Sequence, residues 1–88
     1  MAVQLKGRLT VDFVRYGRDR DIWMLFPECP FRPDQRRAWF LIPHKVLFDR
    51  MKERHGHAPK WKDAWSVRSI SVNQRAFLKN YEIMPSAA

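Results

Sequence analysis

Apolar and polar residues alternate along the first part of the chain. From Val3 to Phe13 the odd positions are apolar except for Gly7, and the even positions are polar: Gln4, Lys6, Arg8, Thr10 and Asp12. An alternation with a period of two is typical of a strand that buries one face. The pattern predicts a strand over residues 3–15 whose core face carries Leu5, Leu9, Val11 and Phe13. Gly7 then marks a bulge or a close backbone approach.

Two further strands are expected after a turn over residues 16–19. Residues 21–27 run from Ile22 to Phe26 without alternation, as a central strand covered on both faces would. Pro27 ends this strand, and the proline-containing segment 28–36 is expected to be a loop. Residues 37–42 form the third strand, and an antiparallel meander is the simplest topology.

The apolar spacing then changes to that of helices. Val46, Leu47, Phe48 and Met51 predict a short amphipathic helix that begins near Pro43, has a mainly cationic outer face and ends at Gly56. The segment 56–65 is expected to be a loop with at most one helical turn, and residues 66–70 a short edge strand.

A second helix is predicted from a capping box. Ser71 followed by Gln74 places the start of this helix at Val72. Its inward-facing residues are expected to be Ala76, Phe77, Leu78 and Tyr81, and the tail over 84–88 is expected to fray. The expected fold class is α+β, with a three- to four-stranded, mainly antiparallel sheet packed against two short helices in a single domain over residues 1–88.

Charge points to the class of partner. Seventeen Lys and Arg oppose nine Asp and Glu, which gives a formal charge of +8, while 45% hydrophobic and 14% aromatic residues argue against a disordered polyelectrolyte. A small basic domain is typical of polyanion binders, so nucleic acid is the expected partner. The alternative is that the charge serves solubility alone.

Few residues of this chain suggest catalysis or a cofactor. Cys29, His44, His55 and His57 match no zinc-binding spacing, and three isolated glycines form no phosphate loop. We therefore expect no metal site, no cofactor and no small-molecule ligand. One cysteine, no signal-like segment in the first 30 residues and no apolar run of about 20 residues predict a cytoplasmic protein without a membrane span.

One stretch resembles a known family. Gln4-Leu5-Lys6 on a strand and the later Trp39-Phe40-Leu41-Ile42-Pro43 resemble the PD-(D/E)XK nuclease superfamily. The resemblance implies that Gln4 takes the metal-side position and Lys6 the catalytic-lysine position. The family's preceding Asp-bearing strand has no counterpart here, and Gln4 with Lys6 supplies no carboxylate for a cation. The resemblance thus implies a truncated remnant that keeps a basic surface. The plainer interpretation is that these side chains are the polar face of a strand.

Two groups of cations are candidates for binding. The N-terminal cluster comprises Lys6, Arg8, Arg15, Arg18 and Arg20, and the tryptophan cluster comprises Lys52, Arg54, His55, Lys60 and Lys62 with Trp61 and Trp65. Cations beside exposed aromatic rings suit single-stranded or looped nucleic acid, because phosphates take the charge and bases stack. The alternative is that both tryptophans cap the core.

The preferred hypothesis is a non-enzymatic binding module that engages nucleic acid or a nucleoprotein complex. Its size suits a phage or mobile-element inhibitor of a host defence system, of the anti-CRISPR type. The alternative is a divergent magnesium-dependent nuclease that completes its site across a homodimer, with Lys6 from one chain and Asp12, Asp19 or Asp21 from the other.

Overall fold

The computed structural model describes residues 2–28 and 37–84. The strands are β1 (Ala2–Leu5), β2 (Thr10–Asp12), β3 (Ile22–Pro27), β4 (Trp39–Pro43), β5 (Ala64–Ser66) and β6 (Glu82–Met84). The helices are α1 (Phe13–Tyr16), α2 (His44–His55) and α3 (Val72–Leu78), followed by a 3₁₀ turn at Lys79–Tyr81. The expected α+β class is confirmed. Most of the expected loop at 28–36, including Cys29, and the tail after Met84 lie outside the described residues.

The main sheet has four strands in the order β1-β3-β4-β6. β3 and β4 lie in its interior and pair antiparallel, so the predicted strands at 21–27 and 37–42 and their pairing are confirmed. The register places Met24 opposite Ile42 and Phe26 opposite Phe40. All four side chains are fully buried. They form the sheet's contribution to the core.

The prediction of one long strand over residues 3–15 is wrong. β1 ends at Leu5 and runs parallel to β3, not antiparallel. The chain then bends at Gly7 and continues as β2, which pairs with β5 in a separate two-stranded sheet. A Cβ built on Gly7 would meet no atom within 4 Å, so no close backbone approach requires glycine there.

Because the chain passes from the main sheet to the two-stranded sheet within this segment, only two of the four residues predicted to face the core are buried. Leu9 and Val11 are fully buried, as predicted. Leu5 is 67% exposed, because β1 turns its odd residues to the face of the main sheet that points away from the core. Phe13 is 42% exposed because it begins α1 instead of continuing a strand.

The predicted first helix is confirmed as α2. It follows Pro43 directly and buries Leu47, Phe48 and Met51. Gly56 ends it with a right-handed φ of −61° and donates its N–H to the carbonyl of Lys52. A Cβ at Gly56 would lie 2.4 Å from that carbonyl oxygen, so glycine is required by close approach and not by a left-handed turn.

The predicted start of the second helix is also confirmed. Ser71 caps α3, and its Oγ accepts a hydrogen bond of 3.2 Å from the backbone N–H of Gln74. Leu78 is buried, but Ala76 is exposed, contrary to prediction. Side chains two positions apart on an α-helix point in directions about 200° apart. Because Gln74 and Leu78 share the inward face, Ala76 must face outward. Phe77 and Tyr81 pack half-buried against the core, as predicted.

The short strand expected at 66–70 lies earlier in the chain. It is β5, which pairs with β2 and not with the main sheet, and the fourth main-sheet strand is β6. Within the residues described here, no helix is long and apolar enough to cross a membrane.

Candidate nucleic-acid interface

The structure brings most of the N-terminal cluster together around α1. The Lys6 Nζ lies 5.3 Å from the ring centroid of Tyr16, the last residue of α1. Arg20 Nη1 donates a hydrogen bond of 3.1 Å to the carbonyl of Arg15. Arg18 follows at the turn after Gly17, and Arg8 is exposed beyond the end of β1. The N-terminal cluster is therefore a patch around one helical turn.

Acidic partners neutralise part of this patch. Arg18 binds Asp49 of α2 through two hydrogen bonds, Nε to Oδ1 at 3.0 Å and Nη2 to Oδ2 at 2.5 Å. This contact raises the pKa of Arg18, with the Asp49 hydrogen bond as the largest cause. Arg15 Nε lies 3.7 Å from an oxygen of Asp12. Two of the five predicted cations thus already face a carboxylate.

An open groove next to the patch is balanced in charge. Its walls include Trp23 and six charged residues: Arg18, Asp19, Arg20, Asp21, Lys45 and Asp49. Asp21 accepts a hydrogen bond of 3.0 Å from the indole Nε1 of Trp23, and this bond is the largest cause of its lowered pKa. Three carboxylates oppose three cations, so this groove does not concentrate positive potential.

The tryptophan cluster is organised as a stack of rings. His55 lies parallel to Trp65 with centroids 4.7 Å apart and an interplanar angle of 10°. Trp65 contacts Trp61 at 5.9 Å, and Trp61 contacts the buried Phe48 at 5.7 Å. His55, Trp61 and Trp65 are each half-buried. The two tryptophans therefore cap the core with part of their surface and present the rest to solvent.

Backbone contacts fix the loop that carries these rings. Asp63 adopts a left-handed φ of 57°, and its carbonyl accepts a hydrogen bond of 2.8 Å from the N–H of Phe13. Its carboxylate accepts a further bond of 3.2 Å from the indole Nε1 of Trp61. Phe13 also contacts Phe48 at 5.3 Å. The start of α1 thus anchors the loop and orients Trp61.

Four exposed cations lie next to these rings in the sequence: Lys52 and Arg54 on α2 shortly before His55, and Lys60 and Lys62 on either side of Trp61. Within the described ranges, none of them forms an ion pair with a carboxylate. The pKa of His55 is lowered, chiefly by burial and then by the charges of Arg54 and His57. The lowered pKa favours the neutral imidazole, which stacks on Trp65. Positive charge next to half-buried aromatic surface is the main property of this site.

The residues of the nuclease resemblance do not assemble a cation site within this chain. Gln4 is half-buried and lies in register with Met24, while Lys6 approaches Tyr16. Asp12 caps α1 by accepting a hydrogen bond from the N–H of Arg15. Among residues 2–28 and 37–84, no group of three or more His, Cys, Asp or Glu could hold a metal ion.

The burial of His44 was not predicted from the sequence. His44 is 1% exposed, its Nε2 accepts a hydrogen bond of 3.0 Å from the N–H of Asp12, and its Nδ1 lies 2.7 Å from the carbonyl of Gly17. It joins the start of α2 to both ends of α1. The signal was present, because position 44 precedes Leu47, Phe48 and Met51 at helical spacing and so falls on the same inward face.

Comparisons of this chain with known protein families, with curated proteins and with solved structures found no match. The residues of the two clusters are therefore the basis for a functional interpretation.

Proposed function

We propose that the protein is a non-enzymatic binding module for nucleic acid, and that the tryptophan cluster is its main contact surface. The observation that carries the proposal is that four exposed cations lie within three residues of His55 or Trp61 in the sequence, and that these two rings belong to one stack with Trp65. A nucleoprotein complex with an exposed strand offers the same chemistry. A role as an inhibitor of a host defence complex stays a prediction.

The two parts of the site suit the two parts of a single strand. Ammonium and guanidinium groups neutralise phosphates, and a base stacked on an aromatic ring contributes about 1–3 kcal/mol. Trp61 and Trp65 are held by ring contacts and by the Asp63 hydrogen bond, so little conformational entropy is lost when a base stacks on them. Single-stranded or looped nucleic acid fits better than a duplex, whose base faces are covered.

The charge count sets the expected salt dependence. If Lys52, Arg54, Lys60 and Lys62 each neutralise one phosphate, the slope of log affinity against log salt is about −2.8 for a single strand. Affinity should then fall about 50-fold between 50 and 200 mM salt. The N-terminal cluster is expected to add less, because Arg15 and Arg18 already face carboxylates.

The test is a fluorescence-anisotropy titration with a labelled single-stranded oligonucleotide and with its duplex at 50 and 200 mM salt. The double variant Lys60→Glu/Lys62→Glu changes the tryptophan cluster. Arg68→Glu/Lys79→Glu is the matched control, because both residues are exposed, lie outside the two clusters and change the net charge equally. Trp61→Leu removes the stacking ring but keeps apolar contact with Phe48, and thermal unfolding checks that it remains folded.

Three results support the proposal: the single strand binds more tightly than the duplex, the cluster variant weakens binding at least tenfold more than the control, and Trp61→Leu reduces the affinity. An equal loss in both charge variants means that only net charge matters and contradicts the proposed surface. Binding that does not change with salt, or no binding at 50 mM salt, contradicts the proposed function.

A further inference from the structure

The outer edge of β1 exposes unpaired backbone groups. β1 is an end strand of the main sheet, and no described strand pairs with its other side. The N–H groups of Ala2 and Lys6 bond to the carbonyls of Asp21 and Leu25. In a parallel ladder, alternate residues bond to the same neighbour, so the backbone groups of Val3 and Leu5 point away from β3.

The side chains of the same two residues extend an apolar surface to this edge. Val3 is 43% exposed and Leu5 67% exposed. The register places Val3 beside Trp23 and Leu5 beside Leu25, on the sheet face opposite Met24. None of these outer residues belongs to the buried core or to the hydrophobic residues packed against it. The edge therefore offers hydrogen bonds and apolar contact at the same positions.

The two edges of the main sheet differ in how they are protected. Proteins usually guard edge strands with charges, prolines or very short strands. β6 has only three residues, its Glu82 binds Arg75, and Pro85 follows in the sequence. β1 has the sequence Ala-Val-Gln-Leu, which contains neither charge nor proline. Of the two edges of the main sheet in the described residues, the β1 edge is the one without a charged residue or a neighbouring proline.

We infer that β1 pairs antiparallel with β1 of a second copy of this chain, forming a continuous eight-stranded sheet about a two-fold axis at Gln4. This register places Val3 opposite Leu5 of the second copy and Leu5 opposite Val3. Because the backbone groups of both residues point outward, each of the two pairs exchanges two hydrogen bonds. Gln4 then faces Gln4 of the second copy as a pair without backbone hydrogen bonds.

Charge favours a second copy over an acidic partner at this edge. Residues 2–5 are uncharged, so they offer nothing to attract carboxylates, and they let two chains of +8 approach at a neutral strand. In the inferred register Lys6 lies opposite Ala2 of the second copy. The two Lys6 residues are then offset by four residues, or about 13 Å along the strand. Salt screens charges at that separation, because the Debye length is about 8 Å at physiological ionic strength.

The short strand limits the strength of this dimer. A pairing of four-residue strands buries well under the roughly 1,200 Å² of small stable interfaces. We therefore expect a concentration-dependent dimer with a dissociation constant of about 10–1,000 µM.

Analytical ultracentrifugation of the whole chain between 5 µM and 2 mM tests the association. Leu5→Lys places a charge at the edge and should leave the protein monomeric over this range. Ile83→Lys makes the same change at the opposite edge, where Ile83 is 52% exposed, and should leave the dimer unchanged. A wild-type protein that stays monomeric at 2 mM, or a dimer equally sensitive to both substitutions, overturns the inference.

Disulfide trapping tests the register. In a Cys29→Ser background, Gln4→Cys places two thiols across a non-hydrogen-bonded pair, where Cα atoms are about 4.5 Å apart and a disulfide can form. Oxidation should give a covalent dimer. Lys6→Cys is the matched control and should not cross-link, because its Cα atoms are about 13 Å apart along the strand. Equal cross-linking of both variants contradicts the register. These experiments need no nucleic acid, so their outcome is independent of the proposed function.

Discussion

Substitution of His44 tests how the fold positions both clusters. Because the Asp12 N–H donates to Nε2, the ring proton lies on Nδ1, which donates to the Gly17 carbonyl. His44→Phe keeps an aromatic ring in contact with Phe48 and Tyr16, whose centroids lie 5.8 and 5.3 Å away. It removes both hydrogen bonds and leaves a backbone N–H and a carbonyl without their partner.

The expected loss of stability is large for this domain. Each backbone group left unsatisfied in a buried site costs about 1–3 kcal/mol. We expect His44→Phe to lower the free energy of unfolding by about 2–4 kcal/mol, since Asp12 is only partly buried. A loss of about 3 kcal/mol corresponds to a melting temperature about 12–24 °C lower for a chain of this size.

Urea unfolding followed by circular dichroism measures this loss. His57→Phe is the matched control, because the same change falls on an exposed histidine outside the core and should alter stability by less than about 0.5 kcal/mol. If His44→Phe unfolds within 0.5 kcal/mol of the wild type, the two hydrogen bonds do not hold α1 in place, and the reasoning fails.

The same variant predicts a change in pH dependence. Burial lowers the pKa of His44 in the folded state, and this outweighs the raising effects of the Gly17 hydrogen bond and of Asp12 and Asp49. Around and below the ordinary histidine pKa of about 6.5, the unfolded chain therefore binds more protons than the folded protein. The free energy of unfolding consequently falls as the pH decreases below that value. His44→Phe should reduce this fall. Part of the loss of stability at low pH should persist in this variant, because the pKa of His55 is also lowered.

Two further substitutions test local features of the fold. Gly17→Ala should lower the free energy of unfolding by about 1–3 kcal/mol, because Gly17 has a left-handed φ of 61°. Gly7→Ala should change it by less than about 0.5 kcal/mol, because a Cβ at Gly7 would lie in open space. Equal effects of the two substitutions in urea titrations would contradict the strain argument. Arg75→Lys should cost about 1–2 kcal/mol, because Arg75 bonds both Glu28 at 2.7 Å and Glu82 at 2.5 Å. A double-mutant cycle with Glu82→Gln that gives no coupling would contradict this second expectation.

Local signals were sufficient for α2, α3 and the interior strands. The Ser71 capping box fixed the start of α3, and the apolar spacing from Leu47 to Met51 fixed α2. Each signal depends on residues a few positions apart, which adopt their local structure in most tertiary settings. The unalternating run from Ile22 to Phe26 identified an interior strand because both of its faces are apolar.

The N-terminal segment could not be predicted in the same way. Val3 and Leu5 continue the alternation of Leu9 and Val11, yet the first pair lies on the outer face of one sheet and the second pair in the core beside another. An alternation of apolar and polar residues shows that one face of a strand is apolar, but it does not show to which sheet the strand belongs. Parallel pairing of β1 with β3 is a contact between distant positions, and no residue in β1 encodes it locally.

The sequence located the cations but could not say which of them are paired. Arg18 and Asp49 are separated by 31 positions, and only the packing of the α1 turn against α2 brings them together. By contrast, Lys60 and Lys62 lie on a loop whose own carboxylate, Asp63, accepts a hydrogen bond from the indole of Trp61. Two clusters that look equivalent by composition therefore differ in the charge they can offer. A polyanion would replace an existing ion pair at Arg18, whereas within the described part of the chain no ion pair involves the cations of the tryptophan cluster, and this difference favours the tryptophan cluster as the binding surface.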